Sequence, residues 1–223
     1  RAAFFGPGGP GAIYRADVTT GRVAEFVRVP NAGTVHHYHT SSPDVEARDF
    51  AGKTSLGGLD VSADGRDLFV MNLEDRRIYH YDVPSASLVG AFDHGAAGEP
   101  WAPDARPFAV KAQDGWLYHG LVNSAERTGA RADLRGQVYR SAFDGGGLRI
   151  VADFPLDDER GVARVHGTVD DPGTHEVSLG WLPWKDGDND LGKGRHEMSV
   201  YPQPMLVDVE FTDGGDMVLG LHD

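Results

Sequence analysis

An all-β fold is predicted by three observations. Almost no window of the 223 residues carries the period of an amphipathic helix. Short runs rich in Val, Ile, Leu, Phe and Tyr recur instead between Asp-Gly turns, and 30 glycines supply turn positions. These runs also return in the same order, four short strands at a time, at a spacing of roughly 40 to 50 residues. Four-stranded units at that period are the signature of β-propeller blades.

The first element is a half-blade over residues 11–28, in which Ala12-Ile13-Tyr14-Arg15-Ala16-Asp17 and Arg22-Val23-Ala24-Glu25-Phe26-Val27 read as the third and fourth strands of a unit. A connection from Pro30 to Ser55 follows, holding Val35-His36-His37-Tyr38-His39. The first whole blade spans residues 57–92. Its strands are Gly58 to Ser62, Leu68 to Asn72, Ile78 to Asp82 and Leu88 to Phe92, and Ala63-Asp64-Gly65 makes the first turn. A second blade spans residues 107–152, with strands at Phe108 to Lys111, Trp116 to Gly120, Val138 to Ser141 and Leu148 to Ala152. An insertion over residues 155–204 then breaks the repeat, with no clear strand pattern between Asp157 and His196. The half-blade at residues 205–221 restarts it with Leu206 to Phe211 and Met217 to Gly220. Two blades and two halves make three at most, below the minimum of about four for a closed ring. The expectation is therefore an incomplete segment of a larger propeller.

Composition narrows the function. Lys and Arg total 21 against 34 for Asp and Glu, a net charge of −13. Nucleic-acid binding needs clustered cations to displace phosphate counterions, so it is excluded as an expectation. Cations, sugars, neutral molecules and basic proteins are the compatible partners. No apolar run approaches the ~20 residues of a membrane-spanning helix, so membrane insertion is not expected. The absence of cysteine removes disulfides, thiolate metal sites and a Cys nucleophile.

Gly58-Leu59-Asp60-Val61-Ser62-Ala63-Asp64-Gly65-Arg66, with Leu68-Phe69-Val70 and Arg77-Ile78-Tyr79-His80-Tyr81-Asp82, resembles a blade of the NHL or gluconolactonase and regucalcin type. A likeness covering most of the chain rests on six segments: Gly11 to Arg15, Gly57 to Ser62, Ala105 to Val110, Asn123 to Glu126, Ala132 to Arg135, and Tyr201-Pro202-Gln203-Pro204-Met205-Leu206. Together they resemble the propeller region of large bacterial surface proteins that carry Sdr-type B repeats. That resemblance implies a secreted or cell-surface setting and a binding, adhesion or structural role, with a protein or glycan as ligand. The gluconolactonase resemblance implies the alternative, a calcium-dependent hydrolase of the lactonase type. Its channel ion would fall to Asp60, Asp208 and Glu210 on inner strands. The Asn that precedes Gly-Leu in that family is replaced here by Gly57, so one ligand is lost.

A second calcium candidate is the insertion's acidic run. Asp186, Asp188, Asp190 and Glu197 stand at positions one, three, five and twelve of a loop, the spacing by which a calcium loop gathers oxygens. Leu191 takes the sixth position, where the tight turn prefers Gly. His37 and His39 would share a strand face and could pair on zinc, with His36 beside them, given a third ligand from elsewhere. Trp181, Trp184 and Arg106 read as blade-closing core in preference to a sugar platform. No nucleophile elbow, phosphate loop or H-E-x-x-H pattern occurs, so catalysis has no positive motif.

Overall fold

The computed structural model describes residues 8–34, 50–166, 174–186 and 202–222. Fourteen strands among these residues form five antiparallel sheets. The first hairpin pairs β1 (Ala12–Ala16) with β2 (Val23–Arg28). A four-stranded meander follows, β3 (Leu56–Val61), β4 (Asp67–Asn72), β5 (Arg77–Asp82) and β6 (Ser87–Asp93). The second meander is β7 (Ala105–Gln113), β8 (Trp116–Asn123), β9 (Arg135–Ser141) and β10 (Arg149–Pro155). A hairpin of β11 (Glu159–His166) and β12 (Thr174–Gly180) comes next, and β13 (Met205–Phe211) pairs with β14 (Met217–His222). Each four-stranded sheet keeps sequence order from first to last strand, which is the meander of a propeller blade.

Local chemistry sets the turns. At the β3–β4 hairpin, Ser62 Oγ accepts from the Asp67 amide at 2.9 Å and donates to Asp64 Oδ1 at 2.7 Å. Gly65 supplies the positive φ of 75° that closes this turn.

The first hairpin, the two meanders and the last hairpin stack face to face like sectors of a fan, and apolar side chains on alternate strand positions fill the three seams between them. Ile13, Val27 and Val29 lie on Leu68, Val70, Tyr79 and Tyr81. On the opposite face of the same meander, Phe69, Met71 and Ile78 pack against Val110 and Leu117. Leu206 and Val209 close the third seam on Ala109, Val122 and Val138. Each such fully buried side chain contributes roughly 1.5–3 kcal/mol of transfer free energy, so the seams supply most of the cohesion between sheets. The first strands of the sheets are neighbours: β7 lies between β3 and β13.

Two features differ from the sequence reading. The insertion, read as lacking strands, contains β11 paired with β12, including Ala163 opposite Val177. Val162, Val165, Val177 and Leu179 are strand formers, but intervening Gly and charged residues break the alternation that would reveal them. The inner strands also carry bulges, between Leu56 and Leu59, Pro107 and Ala109, and Leu206 and Asp208. Each bulge shifts the alternation by one residue, which is why spacing alone could not assign the faces of Asp60, Asp208 and Glu210. No helix among the described residues is long and apolar enough to cross a membrane.

Candidate functional site

Two of the three inner-strand carboxylates, Asp60 and Glu210, meet at a lysine whose charge also feels Asp208. Asp60 on β3 accepts a hydrogen bond from the Ala112 amide of β7 at 2.8 Å, which turns it toward the second meander. Lys111, also on β7, donates from Nζ to Glu210 Oε1 of β13 at 2.9 Å and stands 3.8 Å from Asp60 Oδ2. The Glu210 bond raises the Lys111 pKa, and the fields of Asp60, Glu210 and Asp208 add to it against the burial that would lower it. One ammonium therefore ties three neighbouring sheets together and offsets part of the charge of the inner-strand acids. Among the described residues, no three His, Asp or Glu side chains come close enough together to hold a metal. Gly57 offers no side chain here, and Lys111 stands between Asp60 and Glu210.

A second ionic cluster fixes the end of the insertion. Lys53 Nζ donates to Glu126 Oε1 at 2.6 Å and to Asp186 Oδ1 at 2.5 Å. Arg106, nearly buried, donates to the other Glu126 oxygen and to the carbonyls of Pro103 and Ala105. Burial alone would raise the Glu126 carboxyl, yet Lys53 and Arg106 overrule it and hold the group below its ordinary range. Trp184 covers the cluster: the Lys53 ammonium and the Arg106 guanidinium lie 6.0 and 5.6 Å from its ring centre. Its indole N–H donates to the Pro204 carbonyl at 2.9 Å. Trp184 and Trp181 are both buried, so neither presents a sugar-stacking face.

Asp186 is thus an ion-pair partner of Lys53. Asp188, Asp190 and Glu197 lie outside the described residues, as do His36, His37 and His39.

Sequence reading missed the residues that organise both clusters. Lys111 was legible as a lone cation in the apolar run Phe108-Ala109-Val110-Lys111-Ala112, a pattern that asks for a buried partner. Lys53 and Glu126, 73 positions apart, left no such trace. Two buried histidines were missed as well. His119 Nε2 accepts from the Gly95 amide at 2.9 Å while its ring stacks on Tyr139, and His94 Nδ1 accepts from the Ala96 amide at 3.2 Å. Burial pushes their pKa values down to about 3 for His119 and about 4 for His94. Both rings are neutral structural groups near neutral pH.

No protein-family model matches the chain. It is similar to Colossin-A of Dictyostelium discoideum, at 24% identity over 98% of this chain and 2% of that protein. The chain therefore spans only a small fraction of that relative's length. Among solved structures it is similar to a chain of a nidogen/laminin complex, at 16% identity and TM-score 0.43, covering 93% of this chain and 63% of that one. It is also similar to a chain of the mitotic checkpoint complex, at 11% identity and TM-score 0.42, covering 95% and 51%. For the dihydro-heme d1 dehydrogenase NirN the values are 12% and 0.34, covering 96% and 40%. At these scores the fold assignment rests on the chain's own strand order, that of a propeller segment built from four-stranded antiparallel blades.

Proposed function

We propose that this chain is a binding or structural propeller module of a secreted or surface-anchored bacterial protein, with a protein or glycan as its ligand. The observation that carries the reading is Lys111. Two of the three inner-strand acids named as ligands for a lactonase-type ion, Asp60 and Glu210, are engaged by this ammonium and by the Ala112 amide. Packed sheets joined by long connections support recognition by surface loops. The likeness of its repeats to the propeller region of surface proteins with Sdr-type B repeats supports the extracellular setting. The net charge of −13 favours basic proteins or neutral glycans over anionic ligands. Calcium enters this reading only through the acidic loop led by Asp186, Asp188 and Asp190.

The test pairs two measurements on the whole chain. Immobilised protein is presented with a glycan array and a panel of extracellular-matrix proteins, and lactone hydrolysis is followed with and without millimolar calcium. Saturable binding without hydrolysis is expected. Calcium-dependent hydrolysis that disappears in Asp60→Asn would replace the binding reading with the lactonase one.

A further inference from the structure

The connection from β6 to β7, residues 94–104, is held by different chemistry at its two ends. At its start, two imidazole nitrogens accept backbone amides: Gly95 N–H donates to His119 Nε2 of β8 at 2.9 Å, and Ala96 N–H donates to His94 Nδ1 at 3.2 Å. Gly95 also lies against Tyr139 of β9, where a Cβ would fall 2.1 Å from the ring, and His119 stacks on that same ring. At its end, arginines do the holding. Arg76 Nη1 donates to the Ala102 and Pro103 carbonyls at 3.2 and 2.8 Å, and Arg106 Nη1 donates to Pro103 at 3.2 Å. Arg127 donates to Asp104 Oδ1 at 3.1 Å and to the Pro100 carbonyl at 3.4 Å. Guanidinium groups stay charged through the acid range, so the end of the connection keeps its bonds where the start does not.

A proton added at the start breaks it. His119 accepts at Nε2, so its own proton sits on Nδ1, an atom buried without a hydrogen-bond partner among the described residues. An imidazolium there would aim one N–H at the Gly95 N–H and leave the other without an acceptor. Protonating His94 at Nδ1 sets N–H against the Ala96 N–H in the same way. The surrounding charges give little relief. Arg76, from the β4–β5 turn, opposes a charge on His94, Asp93 at the end of β6 favours one, and His94 opposes one on His119. Tyr139 remains a neutral phenol, its pKa raised to about 12 by burial and by the fields of Glu99 and Asp153, and it donates to Gln137 Oε1 at 3.0 Å. His94, Ala96 and His119 are all buried, so a charged ring reaches water only if the segment above it moves.

We infer that residues 94–99 form an acid-released strap: protonation of His119 and His94 lifts this segment from β8 and β9 while Arg76, Arg106 and Arg127 keep residues 100–104 seated. Lifting it uncovers the apolar cluster of Ala96, Ala105, Leu121 and Tyr139. The connection meets β7 beside Arg106, so the uncovered surface borders the ionic cluster that fixes the end of the insertion. In the open segment each ring titrates near its ordinary value, and the open population therefore rises by up to about tenfold per pH unit for each ring exposed, below pH ~6.5.

Amide hydrogen exchange at pH 7, 6 and 5, corrected for the intrinsic pH dependence of exchange, reads this opening. Protection of Gly95 and Ala96 is expected to lie below that of the β4 and β5 amides, to be unchanged by low urea, and to fall between pH 6 and 5 by about tenfold for each ring exposed. The Asp104 amide, bonded to the Trp101 carbonyl at 2.8 Å in the arginine-held half, should follow the blades instead. His119→Gln keeps an acceptor toward Gly95 and cannot become charged; combined with His94→Asn it should leave Gly95 and Ala96 equally protected at all three pH values. Constant protection of Gly95 and Ala96 in the unsubstituted chain overturns the strap, as does protection that matches the β4 and β5 amides in size and urea dependence. Equal deprotection at Asp104, or a double variant that keeps the original pH dependence, overturns it too. Should the double variant not fold, the pH and urea dependence of the unsubstituted chain decides.

Discussion

Acidification is the perturbation with the most direct structural consequence. His94 and His119 are both buried, and burial depresses their pKa values from 6.5 to about 4 and about 3. In the unfolded chain each titrates near its ordinary value. Because the folded values are depressed, the unfolded state binds more protons between pH ~6.5 and the folded pKa, so this contribution is full above that window and is lost as pH falls through it. At about 1.4 kcal/mol per pH unit, the fall from pH ~6.5 to ~5 costs about 2 kcal/mol per histidine and about 4 kcal/mol for the pair. For a chain of this length that is a drop in melting temperature on the order of 10 °C. Urea denaturation at pH 7, 6 and 5 measures the loss, in a window above the range where ordinary carboxylates titrate. His94→Asn and His119→Gln place an amide oxygen where the accepting ring nitrogen now sits, so the double variant should keep its fold and lose the slope. A wild-type chain equally stable at pH 7 and pH 5, or a double variant with the wild-type slope, would refute the reasoning.

Three further outcomes are expected. Gly95→Ala would place a methyl group 2.1 Å from the Tyr139 ring, and the forced shift of a buried aromatic should cost about 3 kcal/mol in urea denaturation. Glu126→Gln leaves the nearly buried Arg106 and Lys53 without their shared carboxylate; a loss of about 2 kcal/mol is expected, with faster proteolysis near residues 182–186. Leu206→Ala empties a fully buried position in the third seam, and a loss of about 2–5 kcal/mol together with deprotection of β13 and β14 in hydrogen exchange would be its signature.

The sequence by itself determined most of the strands and the grouping of eight of them in two sets of four. Those features are written locally: β-branched and aromatic runs favour extended backbone, Asp-Gly turns set the hairpins, and repetition makes each unit legible from its neighbours. The β11–β12 hairpin escaped because glycines and charges interrupt its alternation. Tertiary structure decided the chemistry of the inner strands. One-residue bulges set which face Asp60, Asp208 and Glu210 present, and only the stacking of three sheets brings Lys111 between Asp60 and Glu210. Likewise Asp186, read as a calcium ligand, meets Lys53 across 133 positions. A carboxylate's role depends on which cation the fold sets beside it, and electrostatic partners that far apart leave no periodic trace in sequence.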